Sequence, residues 1–208
     1  MRLEVLVERL EEFDLLLSTD SKFPSVSGLV VGDVGGRSWW AHPQAKQMYG
    51  LSCALYDHPD VLMVKLISGK VTFIHRPLWP AIVAIGISRE PWQMDGLSKG
   101  AMALLKKTEG LRKVEASGDA VRELEVRLLA HAVSFHTERG LHKKEVQSWT
   151  AWTKSVGLGK VKLTPSEAKA QLEAAVERLN QQFGAKGTLP WQTKRRKEAS
   201  ARVPARHA

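Results

Sequence analysis

The sequence predicts an α+β fold: a helix-dominated single domain with a small antiparallel sheet built on a β-hairpin at 61–75. Three observations carry this. Apolar residues recur at helical spacing through most of the chain. One segment, VLMVKLISGKVTFIH, has two apolar runs about a Ser-Gly pair. The composition, 43% hydrophobic and 25% charged, is that of a globular protein.

The elements follow in order. Leu3, Leu6, Leu10 and Phe13 form one stripe of a helix over 2–17, within an acidic N-terminal segment 1–22. Leu29–Val31 is a possible strand. Pro43 opens a helix whose buried stripe is Ala45, Met48, Leu51 and Leu55. In the hairpin, a two-residue turn at Ser68-Gly69 pairs Leu66 with Val71, Val64 with Phe73 and Leu62 with His75. Both hairpin faces carry apolar residues, so it belongs to a larger sheet. A short buried helix spans 77–87. Ser98 caps a helix ending at Glu109-Gly110, and Leu111–Glu115 is another possible strand. The longest helix is predicted over 119–139, with Val121, Leu124, Leu128, Ala132 and Phe135 buried. A further helix covers 143–155. Thr164-Pro165-Ser166-Glu167 is a capping box that opens a helix burying Ala168, Leu172, Ala175 and Leu179 and ending at Gly184. Residues 119–184 thus form a C-terminal helical layer. The domain covers 1–190, and 191–208 reads as a basic disordered tail.

The net charge is +9 and unevenly spread. Residues 1–60 hold 5 basic and 9 acidic side chains, residues 61–190 hold 20 and 12, and residues 191–208 hold 6 and 1. Such a balance favours polyanions through counterion release. Cys53 is the only cysteine, so neither an internal disulfide nor a cysteine-based zinc site is available. No apolar run reaches the ~18 residues of a membrane span. The Glu-rich start is unlike a secretory signal. A cytoplasmic protein is expected.

VVGDVGGRSWW places Gly36-Arg37-Ser38 where a P-loop would have Gly-Lys-Ser. The first glycine is one residue late, and the helix signal comes only at Pro43, so a phosphate cradle at a helix start is not built. The useful content is Arg37, Trp39, Trp40 and His42. Adjacent residues in an extended stretch point to opposite sides, so one ring can pack while the other stacks a base. His75 and Arg76 sit where a strand gives way to a helix, a favoured place for functional side chains. Lys65, Lys70 and Lys194-Arg195-Arg196-Lys197 add phosphate-binding charge. If 119–139 is helical, His131 and Glu138 share a face and Glu138 lies four residues from His142. That spacing suits acid–base or metal chemistry.

SWWAHP, KLISGKVTFIHRPLWP and HTERGLH together resemble stretches of a bacterial family of proteins without assigned function, over most of residues 25–160. The resemblance implies a bacterial protein and brings no site with it. The leading expectation is a nucleic-acid-binding protein, acting on DNA in its maintenance or processing, with no cofactor. Two alternatives stand beside it: a small hydrolase-like enzyme using His131, Glu138 and His142, and a protein–protein interaction module docking through the acidic N-terminal helix.

Overall fold

The computed structural model describes residues 1–32, 41–109, 113–136 and 142–192, without the side chains of Phe135, His136 and His142. It is a helix-dominated α+β domain with two small antiparallel sheets of three strands each.

Helix α1 (Leu3–Phe13) buries Leu6, Leu10 and Phe13, as its spacing predicts. It stops four residues earlier than expected. Asp14 adopts a left-handed conformation (φ 64°), and its N–H caps the Leu10 carbonyl. Leu15–Leu17 then becomes strand β1, buried throughout. Three consecutive leucines would leave one on a helix's wet face, whereas a strand covered on both sides buries all three. Leu29–Val31 is not a strand. It belongs to α2 (Val26–Val31), whose N-cap Ser25 accepts the Gly28 N–H through its Oγ at 3.1 Å. Helix α3 (Ala45–Tyr56) buries Met48 and Leu55.

The 61–75 hairpin is present as β2 (Val61–Lys65) and β3 (Val71–His75). Its register differs from expectation by one residue: Leu62 faces Ile74, Met63 faces Phe73 and Val64 faces Thr72. The connection is Leu66–Lys70, not two residues. Ser68 (φ 52°) and Gly69 (φ 71°) carry the bend, and Thr72 Oγ1 accepts the Ile67 N–H at 3.2 Å. The slip exchanges the faces, yet Phe73 and Ile74 are both buried because the sheet is covered on both sides. β1 pairs with β3, giving the order β1-β3-β2 and leaving β2 at the edge.

A 3-10 turn at Arg76–Leu78 leads into α4 (Trp79–Ser88), which lies along α9 (Pro165–Phe183). Both halves of the predicted capping box at Thr164 and Glu167 are made, and Gly184 ends α9 in the left-handed conformation. After the short α5 (Pro91–Met94), Ser98 caps α6 (Lys99–Thr108). Gly110, its expected stop, lies outside the described residues.

The largest departure is at 119–155. Helix α7 (Asp119–Val126) ends near Leu128, whose φ is 53°. The Arg127 guanidinium helps hold the chain there by donating to the carbonyls of Gln93 and Asp95, each at 2.8 Å. The predicted long helix is instead α7 followed by strand β5 (His131–His136), and 142–147 is strand β6 (His142–Gln147), not the start of a helix. Burial falls along β5 from the buried His131 and Ala132 through Val133 to the exposed Ser134. Strand β4 (Val114–Ala116) completes a second sheet of order β4-β6-β5, close to the possible strand at 111–115. Helix α8 (Trp149–Ser155) follows.

Two hydrophobic clusters result. The larger surrounds the first sheet, α4 and α9. The smaller lies under the second sheet and is built from α6, α7, Ala132 and Val146. Trp191, expected in the tail, belongs to the larger cluster. It is buried, donates to Glu173 Oε1 at 2.6 Å, and sits 5.7 Å from Trp92 between ring centroids. The ordered body thus runs past 190, and residues 193–208 lie outside the described residues.

Gly86 of α4 faces the Trp149 ring so closely that a Cβ there would lie 2.2 Å from two ring atoms. Gly86→Ala should therefore cost about 1–3 kcal/mol by overpacking, read as a fall of several degrees in thermal midpoint. An unchanged midpoint would contradict the close approach.

Candidate functional site

The two sheets are separate. β2 is one edge strand of the first and β5 one edge strand of the second. Between them runs a cleft whose inner part is lined by Met63, Val64, Val71, Ala130 and Ala132. Its outer part, about 280 Å³, is polar. Glu125 of α7 joins the two. Its side chain is only 11% exposed and lies between two ammonium groups, Lys144 of β6 (2.5 Å to Oε1) and Lys65 of β2 (3.1 Å to Oε2). The Lys65 contact is one of charge alone, because Oε2 has no partner in hydrogen-bond geometry. Ser134 faces Lys144 across the β5–β6 ladder, so both reach the same cleft. Arg122, exposed on α7, and Ser117 line the outer rim.

Among the described residues that the sequence singles out, only Lys65 lies in this cleft. Lys70 is bound to Asp20 at 2.7 Å. Burial alone would raise the Asp20 carboxyl. The Lys70 hydrogen bond and the amides of Lys22 and Phe23 outweigh it and hold the carboxyl below its usual range. Arg76 pairs with Asp60 at 3.1 Å and stands 5.2 Å over the Trp79 ring. His75 is half-buried, and its Nδ1 is sealed from solvent without a partner. His42 Nδ1 accepts the Gln44 N–H at 3.2 Å. These groups do not converge. Arg37, Trp39, Trp40, Glu138, Lys194, Arg195, Arg196 and Lys197 lie outside the described residues, as does the side chain of His142.

His131 corrects an expectation. The helix that would place it on one face with Glu138 is not formed, since 131–136 is a strand. The ring is 5% exposed, with centroids 5.8 Å from Trp149 and 5.5 Å from Trp152. Gln147 Nε2 is its polar neighbour, 3.4 Å from Nδ1. Burial first, and Lys113 second, pull its pKa down from 6.5 to about 4. It is a neutral core histidine at ordinary pH. Among the described residues, no three His, Cys, Asp or Glu side chains gather as a metal site would need.

Sequence reasoning missed Glu125, Lys144, Ser134 and Arg122. The alternation of Val133 and Phe135 with Ser134 and His136, followed by Arg139-Gly140, was the signal that a hairpin, not a helix, carries Ser134 and Lys144. Among the described residues no helix is long and apolar enough to cross a membrane. Comparison with protein-family models, curated proteins and solved structures gave no match.

The His131 shift predicts pH-dependent stability. The folded state disfavours the protonated ring, so its contribution is complete above about pH 6.5 and is lost as pH falls towards 4. The slope is about 1.4 kcal/mol per pH unit inside that window. Urea midpoints for the wild type should fall between pH 7 and pH 5, and those of His131→Leu should fall less. Parallel losses in both proteins would disprove the assignment.

Proposed function

We propose that the protein binds nucleic acid, duplex DNA foremost, and serves in bacterial DNA maintenance or processing. The observation that carries this reading is the outer face of α6. The helix has no acidic residue and buries Ala101, Leu104, Leu105 and Thr108. Lys99, Lys106 and Lys107 remain exposed beside Met102 and Ala103. Among the described residues none of the three lysines has a carboxylate partner, and the nearest carboxylate in sequence, Glu109, is held by Arg89 at 2.7 Å. Lys99 and Lys106 are two turns apart, ~10 Å along the axis at 1.5 Å per residue.

On this reading the phosphate contacts lie on α6 in preference to Lys70 and Arg76. Each of those two forms a neutral pair with a carboxylate, so neither adds net field. Unpaired cations release condensed counterions when they meet phosphate, and that release dominates affinity for DNA at low salt. The excess of basic residues beyond 60 supports the same reading.

Fluorescence anisotropy of a labelled duplex across a salt series tests it. Wild-type affinity should fall steeply with salt. Neutralising Lys99, Lys106 and Lys107 together, each to Gln, should flatten the slope of log K against log salt by about 2–3, at ~0.9 per phosphate contact. Absence of binding at low salt, or an unaltered slope in the triple variant, would refute the reading.

A further inference from the structure

The Lys65–Glu125–Lys144 cluster is one charge short of neutrality. Two ammonium groups share one carboxylate, and their side chains are 24% and 27% exposed. Charges so far withdrawn from water are costly unless they are balanced. The other cations at the outer cleft divide by partner. Lys143 is bound to Glu115 at 3.0 Å. Arg122 has no carboxylate partner among the described residues, although Asp119 also lines the rim. Lys65, Lys144 and Arg122 thus stand against Glu125 and Asp119, leaving one positive charge unbalanced around about 280 Å³ of open space.

Hydrogen-bond donors accompany the charge. The hydroxyls of Ser117 and Ser134 line the same space. Gly118 begins α7 without a side-chain cap, with the Asp119 carboxylate in the first turn beside it. A planar guanidinium, two ammonium groups and two hydroxyls suit a tetrahedral polyoxyanion, which accepts from several directions at once. The position is also one that ligands favour, at the seam between two separately packed cores.

We propose that this cleft is a binding site for a phosphate group, held by Lys65, Lys144 and Arg122 with Ser134 as a neutral donor. The anion supplies the charge that Glu125 leaves unbalanced. The group can belong to a polynucleotide or to a free phosphorylated compound. The inference does not depend on DNA binding by α6.

The probe is inorganic pyrophosphate, titrated calorimetrically into the full chain at low salt. One saturable site is expected. Arg122→Gln should weaken it about tenfold, the scale of one charge-assisted hydrogen bond. Ser134→Ala should weaken it less. Both residues are exposed, so folding should survive, checked by the thermal midpoint. The α6 variant Lys106→Gln/Lys107→Gln should bind pyrophosphate as the wild type does. No saturable binding, indifference to Arg122→Gln, or an equal loss in the α6 variant would overturn the proposal. With the site established, added duplex assigns the source. Displacement of pyrophosphate identifies a polynucleotide phosphate. Pyrophosphate retained beside bound duplex identifies a free phosphorylated compound. If no duplex binds at all, the α6 reading fails while the cleft stands or falls on pyrophosphate alone.

Discussion

Trp149 holds the two halves of the molecule together. Its ring lies in the notch that Gly86 leaves in α4, its Nε1 donates to the Leu128 carbonyl at 2.7 Å, and its edge meets Trp152. Trp152 in turn meets Trp79, whose Nε1 donates to the Ile74 carbonyl of β3. One chain of rings thus links the first sheet to the turn that starts the second. A residue smaller than Trp would leave a void beside Gly86 and an unpaired carbonyl at Leu128, a backbone already bent to positive φ. Both defects are expensive in a core.

That junction explains which parts of the fold are legible in the sequence. Signals contained within a few residues are readable: the stripe Leu6, Leu10 and Phe13, the Ser98 cap, and the Thr164–Glu167 box with its Gly184 stop. Features decided by distant partners are not. Leu15–Leu17 is a strand because β3 is there to receive it. The stretch 127–136 has the apolar content of a helix. It turns instead at Leu128, because Arg127 is tied to carbonyls some thirty residues earlier and Trp149 claims the Leu128 carbonyl from twenty-one residues later. A window of sequence contains neither partner. The one-residue slip in the hairpin has a more local cause. The Thr72 hydroxyl accepts the Ile67 amide and widens the turn, a competition between side chain and ladder that the apolar pattern does not reveal.

The site was legible in part and for the same reason. Lys65 is named by its charge and its strand, and it does face the cleft. Lys70 and Arg76 are named by the same rule, yet each has an acidic partner contributed from elsewhere in the fold, Asp20 and Asp60. Counting cations along a chain overstates the free charge wherever folding brings carboxylates to meet them. Among the described residues, Lys99, Lys106 and Lys107 of α6, whose sequence contains no acid, and Arg122 are cations without a carboxylate partner. His131 shows the converse error. A histidine in a polar-looking stretch reads as reactive, but two tryptophans and burial make it a neutral packing element.

The cleft draws its charges from both cores. Lys65 comes from the sheet that the larger core supports, while Lys144, Ser134, Glu125 and Arg122 come from elements around the smaller one. The charges oppose each other across the seam only while the two cores stay docked. Without an anion, Glu125 holds both ammonium groups and is one polar tie across the seam, beside Gln93, whose Nε2 donates to the carbonyls of Ile85 and Arg127. A bound phosphate would share that task and relieve the mutual repulsion of Lys65 and Lys144. Anything that binds only the docked arrangement stabilises it by mass action. The same linkage runs in reverse, so tightening of the aromatic junction and occupancy of the cleft reinforce each other.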